Sequence, residues 1–243
     1  MCTDYYESWP LDLEAVIWDW DGTSADTLPY AFRFWKKICD RCAKPFPLKD
    51  YDHVRREMRD PFQLFYTEVL GIDFEKNDHW IKPAFKEHMA ASDVRLRPGV
   101  QEMWDYCAAL GLKTGIASSN LEEVINYRLD SLEVSHGPAG LIRSVVGYGP
   151  KIRSKPFPDA LMECASQLHV HPWACLYVGD TPADILAARA AGMRSAVISG
   201  GYSTIEKLTD GKPTFFVDSA DELQVFIKRL IPIAQVRSVI WDP

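Results

Sequence analysis

Apolar residues change their period along the chain. Between residues 95 and 220, short apolar and β-branched runs alternate with stretches whose apolar positions recur every three or four residues. Lys113–Ser118, Ser144–Val146, Cys175–Val178 and Ser195–Ile198 predict strands. Val100, Met103, Trp104 and Cys107 fall at helical spacing between them, as do Leu121, Val124 and Ile125, and Leu161, Cys164, Ala165 and Leu168. A further strand is predicted at Ala15–Trp18 and a weaker one at Phe215–Val217. This alternation predicts a doubly wound parallel α/β sheet with helices on both faces. Residues 25 to 93 break the rhythm. They carry aromatic-rich helical patterns (Phe32, Trp35 and Ile38; Val54 and Met58) punctuated by Pro45, Pro47, Pro61 and Pro83. The expected organisation is an α/β core of residues 1–24 and 95–243, with an α-helical domain of residues 25–94 inserted after the first strand.

Charge follows the same division. Residues 24–96 carry 13 Lys/Arg against 12 Asp/Glu, while the whole 243-residue chain has 27 against 34 and a net charge of −7, so the acidity lies in the core. That balance argues against a protein that coats nucleic acid. Six cysteines, at 2, 39, 42, 107, 164 and 175, are too dispersed for a secreted disulfide scaffold. Asp4, Glu7, Trp9 and Asp12 replace the basic and apolar segments of a secretory signal. No apolar run approaches the ~20 residues that cross a bilayer. The expectation is a reduced, cytoplasmic protein whose partners include neither nucleic acid nor membrane.

Candidate chemistry gathers where predicted strands end. Trp18-Asp19-Trp20-Asp21-Gly22-Thr23 closes the first strand, and in extended chain its two carboxylates project on one side. Carboxylates this close repel, so they suit a site that holds a cation or shares a proton, although a solvated Asp-x-Asp-Gly turn has the same spelling. Gly179-Asp180-Thr181-Pro182-Ala183-Asp184 follows the strand ending at Val178. There Thr181, Pro182 and Asp184 also read as ordinary helix capping, which leaves Asp180 unexplained. Ser118, Ser119 and Asn120 end another strand and, at a helix start, would offer hydroxyls and N–H groups to an anion. Lys155 sits on the proline-stiffened loop Ser154-Lys155-Pro156-Phe157-Pro158-Asp159.

The order Asp-x-Asp-Gly-Thr, strand-end Ser, Lys-Pro and Gly-Asp-x-x-x-Asp, with Arg97-Pro98-Gly99-Val100, resembles the haloacid dehalogenase-like superfamily over roughly residues 13 to 227. The similarity is to its phosphoglycolate-phosphatase-like, Mg²⁺-dependent branch with a helical cap. It implies a phosphatase acting on a small phosphorylated metabolite (phosphoglycolate or a sugar phosphate) through an aspartyl-phosphate. It further implies Asp19 as nucleophile and Asp21 as general acid and base, with Ser118 and Ser119 gripping phosphate and Lys155 offsetting charge. Mg²⁺ would be held by Asp19, Asp21 through its carbonyl, Asp180 and Asp184. A monomer or homodimer is expected. Rivals are a phosphomutase on the same scaffold, a non-catalytic phospho-ligand-binding protein and a receiver-type domain. Trp18 and Trp20 are bulkier than the usual family residues and imply a narrowed site. In the insert, Arg55, Arg56 and Arg59 read either as a solvated face or as binders of a substrate carboxylate. Cys39-Asp40-Arg41-Cys42 lacks further metal ligands and reads as packing.

Overall fold

All four side chains of β1 (Ala15–Trp18) are buried, because the strand lies in the middle of a sheet covered on both sides. Val16 and Trp18 face one apolar layer with Ile116, Ile125 and Leu129, while Ala15 and Ile17 face another with Leu161, Cys164 and Ala187. Each fully buried Val or Ile contributes about 1.5–3 kcal/mol of apolar transfer, which accounts for the β-branched and apolar spelling of the central strands. The computed structural model describes residues 13–230. The parts of the sequence-based core at residues 1–12 and 231–243, including the N-terminal stretch read for a signal, lie outside the described residues.

The other strands are β2 (Lys113–Leu121), β3 (Ile142–Tyr148), β4 (Cys175–Gly179), β5 (Arg194–Ile198) and β6 (Phe215–Val217). They form one parallel sheet in the order β3-β2-β1-β4-β5-β6. Chain order reverses about β1, so the ends of β2, β1 and β4 lie side by side.

Between β1 and β2 come α1 (Leu28–Arg41), α2 (Tyr51–Glu57), α3 (Phe62–Leu64) running into a π-helical turn (Phe65–Val69), α4 (Phe74–Ala90) and α5 (Val100–Ala109). The first four helices bury Phe34, Trp35, Val54, Phe65 and Ile81 in an apolar cluster of their own, as a helical cap. Pro83, which punctuates the sequence, lies inside α4 without ending it. Cys39 is buried in this cluster, and burial pushes its thiol up to about 11, as a packing residue requires. The chain leaves and re-enters the sheet through paired segments: Asp26 N–H donates to the Arg95 carbonyl and Arg97 N–H to the Ser24 carbonyl, each at 2.9 Å. The remaining helices are α6 (Glu122–Ser131), α7 (Asp159–Gln167), α8 (Pro182–Ala191), α9 (Ile205–Asp210) and α10 (Ala220–Leu230). Among the described residues, no helix is long and apolar enough to cross a membrane.

Candidate active site

Where strand order reverses, the carboxyl ends of neighbouring parallel strands open a crevice that binds ligands in α/β folds. Asp19 enters it directly from β1, its N–H still donating to Val178 of β4 at 2.8 Å. Gly22 has φ +73°, and a Cβ there would collide with the Asp180 carboxylate and the Tyr202 ring. That turn brings Thr23 Oγ1 within 2.6 Å of Asp180 Oδ1, while the Tyr202 N–H donates to Asp180 Oδ2 at 2.6 Å. Asn120 Nδ2 donates to Asp21 Oδ2 at 2.8 Å.

Lys155 reaches the same floor from the loop between β3 and α7. Its ammonium donates to Asp184 Oδ1 at 2.5 Å and to Tyr177 Oη at 3.1 Å, and it pairs electrostatically with Asp19 Oδ1 at 2.8 Å. Tyr177 is fixed in turn by donating to the Ala117 carbonyl at 2.8 Å. The second oxygen of Asp184 accepts from Asp180 N, Thr181 N and Thr181 Oγ1 at 3.0, 2.8 and 2.7 Å. Thr181 closes a capping box at the start of α8, so the capping reading of Asp184 is correct and incomplete. One oxygen caps the helix; the other holds the lysine.

The electrostatics of this floor are lopsided. Burial pushes the Asp19 carboxyl up to about 7 against the pull of Lys155, with Asp184 adding to the rise. Burial, with Asp184 and Asp19 nearby, also holds Asp180 well above the usual carboxylate range. Asp21 is raised by burial too, partly offset by bonds from Thr27 and Asn120. Burial works to lower Lys155, but Asp184 and Asp19 outweigh it and hold the ammonium well above its usual value. One buried cation therefore faces four carboxylates.

Asp19, Asp21, Ser118, Ser119, Asn120 and Lys155 line a common cavity of about 180 Å³. Asp180 and Asp184 lie beneath it, and one oxygen from each of Asp19, Asp180 and Asp184 falls within 4.8 Å of the others. This all-oxygen set with surplus negative charge fits a hard divalent cation such as Mg²⁺.

Several expectations need correction. Ser118–Asn120 fall in an irregularity of β2 between the pairs Ala117–Val146 and Leu121–Tyr148, and α6 begins only at Glu122, so they precede the helix instead of forming its first turn. Gly147 permits that close approach, since a Cβ there would strike the backbone of Glu122. Trp18 and Trp20 do not narrow the site. Strand alternation turns both indoles into the core, where Trp18 meets Trp104 edge-on at 6.3 Å. The arginines do not line the cavity either. Arg55 donates to the Gly201 and Gly200 carbonyls at 2.8 and 3.1 Å and pairs with Asp52, clasping α2 to the loop after β5. Arg59 turns back to Glu57, and Arg56 is exposed. Missed by sequence reasoning were Tyr177 and the aromatic wall of the cavity, whose apolar spelling is that of ordinary core.

Residues 16–198 match the model of the haloacid dehalogenase-like hydrolase family. The chain is 31% identical over 221 residues to a phosphoglycolate phosphatase of Salmonella choleraesuis, covering 88% of this chain and 78% of that one. It is 29% identical over 202 residues to the N-acetylmuramic acid 6-phosphate phosphatase of Pseudomonas aeruginosa, covering 78% and 83%. In fold it is similar to a haloacid dehalogenase-like family hydrolase from Streptococcus pneumoniae, with a TM-score of 0.75 at 17% identity over 89% and 99% of the two chains. The family match spans most of the chain and every residue of the crevice floor, so this protein belongs to the haloacid dehalogenase-like hydrolases.

Proposed function

We propose that this hydrolase is a Mg²⁺-dependent phosphatase, releasing phosphate from a small phosphorylated metabolite through an acyl phosphate on Asp19. The observation that carries this reading is the meeting of Asp19, Asp21, Lys155 and Asp180 at one strand-end floor. The phosphatase names of its relatives support it. Two relatives of nearly equal identity act, by name, on different esters, so identity alone does not transfer a substrate.

An Asp19 oxygen would form a bond to phosphorus as the bond from phosphorus to the alcohol oxygen breaks. Asp21, whose carboxyl is raised by burial, would give its proton to the departing oxygen. Its carboxylate then takes a proton from the water that attacks phosphorus, freeing Asp19 and inorganic phosphate. Lys155 and Ser118 balance charge on the phosphoryl oxygens. Asp19 and Asp180, with the Asp21 carbonyl, would hold Mg²⁺, which when bound supplies positive charge to the phosphoryl group. Asp184, whose oxygens meet Lys155 and the α8 cap, completes this carboxylate group and would support the ion while positioning Lys155.

The test is phosphate release from a panel of phosphomonoesters with Mg²⁺ and with chelator. Release that needs the metal and disappears in Asp19→Asn is expected. A purified chain that releases nothing from any ester overturns the reading.

A further inference from the structure

Above its polar floor the cavity changes character, and from this we infer that the phosphate leaves a compact apolar or aromatic alcohol carrying neither a carboxylate nor a row of hydroxyls. This inference deepens the phosphatase reading and rests on it. The walls are Trp35, Phe65, Phe62 and Phe74 from the cap and Tyr148 from β3. Their rings interlock: Phe62 meets Phe74 at 5.1 Å and Tyr148 at 5.6 Å, both edge to face, and Trp35 meets Phe65 at 4.6 Å. Phe62 and Tyr148 thereby join cap to sheet across the mouth of the site.

A carboxylate entering this chamber meets one wall cation, and that one is already paired. Apart from Lys155, Lys82 is the cationic side chain on the lining among the described residues, and its ammonium is bonded to Asp78 at 2.7 Å and lies 5.2 Å from the Tyr148 ring centre. The wall carboxylate, Asp60, is itself an acid, turned toward the Ala183 amide at the start of α8. A polyol gains little from the ring-lined part of the wall, since each hydroxyl buried there without a partner forfeits about 10-fold or more in affinity, and the polar side chains of the lining, Thr27, Asn120 and Thr181 among them, are not on that part. An apolar ring gains instead. Full burial of a phenyl group is worth roughly 10- to 100-fold. Size sets a further bound, because the cavity of about 180 Å³ receives the phosphoryl group as well as the alcohol, and an apolar void of ~150 Å³ is filled by one benzene, so only a compact group fits beside the phosphate.

The experiment compares kcat/KM for 2-phenylethyl phosphate, glycerol phosphate, glucose 6-phosphate and phosphoglycolate, all esters of alkyl alcohols, in the wild-type Mg²⁺-loaded enzyme. The phenyl ester is expected to lead by roughly 10- to 100-fold, and Phe62→Ala to shrink that lead about 10-fold. Phosphoglycolate or a sugar phosphate hydrolysed as well as the phenyl ester overturns the inference and leaves the phosphatase reading intact. Failure to hydrolyse the phenyl ester overturns the inference, and release from no ester of the wider panel overturns the phosphatase reading with it.

Discussion

The floor and the walls of the cavity are built on opposite rules. On the floor, polar groups are held chiefly by one another. Lys155 has three partners, Asp184 is bonded through both oxygens, and Asp180 is fixed by Thr23 and the Tyr202 amide. The walls hold rings against rings, with polar contacts confined to their edges. A network of fixed dipoles and charges needs little reorganisation when charge moves during reaction. An aromatic wall is indifferent to that charge and sensitive to the shape and wetness of whatever the phosphate is attached to. On the proposed reading the difference makes reaction and selection separable: the strand ends of the sheet would govern the first, and the cap, meeting β3, the second.

Substitutions can break that separation or sharpen it. The largest effect is expected from Asp19→Asn, which should cut turnover by about 10⁴-fold or more for every ester alike, as steady-state kinetics would show. Lys155→Met should lower kcat by about 10²–10³-fold. The same change strands Asp19 and Asp184 against each other and should lower unfolding free energy by about 3 kcal/mol, read from urea melts. Tyr177→Phe removes one of the three partners around the ammonium. Its expected loss is about 10-fold in kcat, with KM unmoved and about 1 kcal/mol of stability gone. A shift in KM alone would instead mark Tyr177 as a substrate contact. Smallest is Arg55→Ala, which gives up the clasp to Gly200 and Gly201. It should cost about 1 kcal/mol in thermal unfolding, without altering the ranking of esters.

The floor was legible in the sequence because its residues stand at strand ends in a fixed order, and strand ends are marked by period and by Gly, Pro and Thr. Asp19, Asp21, Ser118, Lys155 and Asp180 were all reached that way, and so was the parallel sheet. The walls were not. Phe62, Phe74 and Tyr148 have the same spelling whether they fill a core or face a void, and only packing separates the two. Arg55 failed for a related reason. A basic cluster names no partner, and the carbonyls it meets are 145 and 146 residues away and carry no side-chain signature. Tyr177 hides inside a buried strand, where a phenol reads as one more apolar ring.

The cap departs from the sheet and returns to it through neighbouring, hydrogen-bonded segments at Ser24–Asp26 and Arg95–Arg97. Adjacent antiparallel strands sit only ~5 Å apart, so the whole excursion begins and ends at nearly one point. A splice made there exchanges one roof for another without cutting a strand of the sheet. A grafted roof keeps the reaction and replaces the choice of alcohol, provided it supplies its own counterpart to the Arg55 clasp.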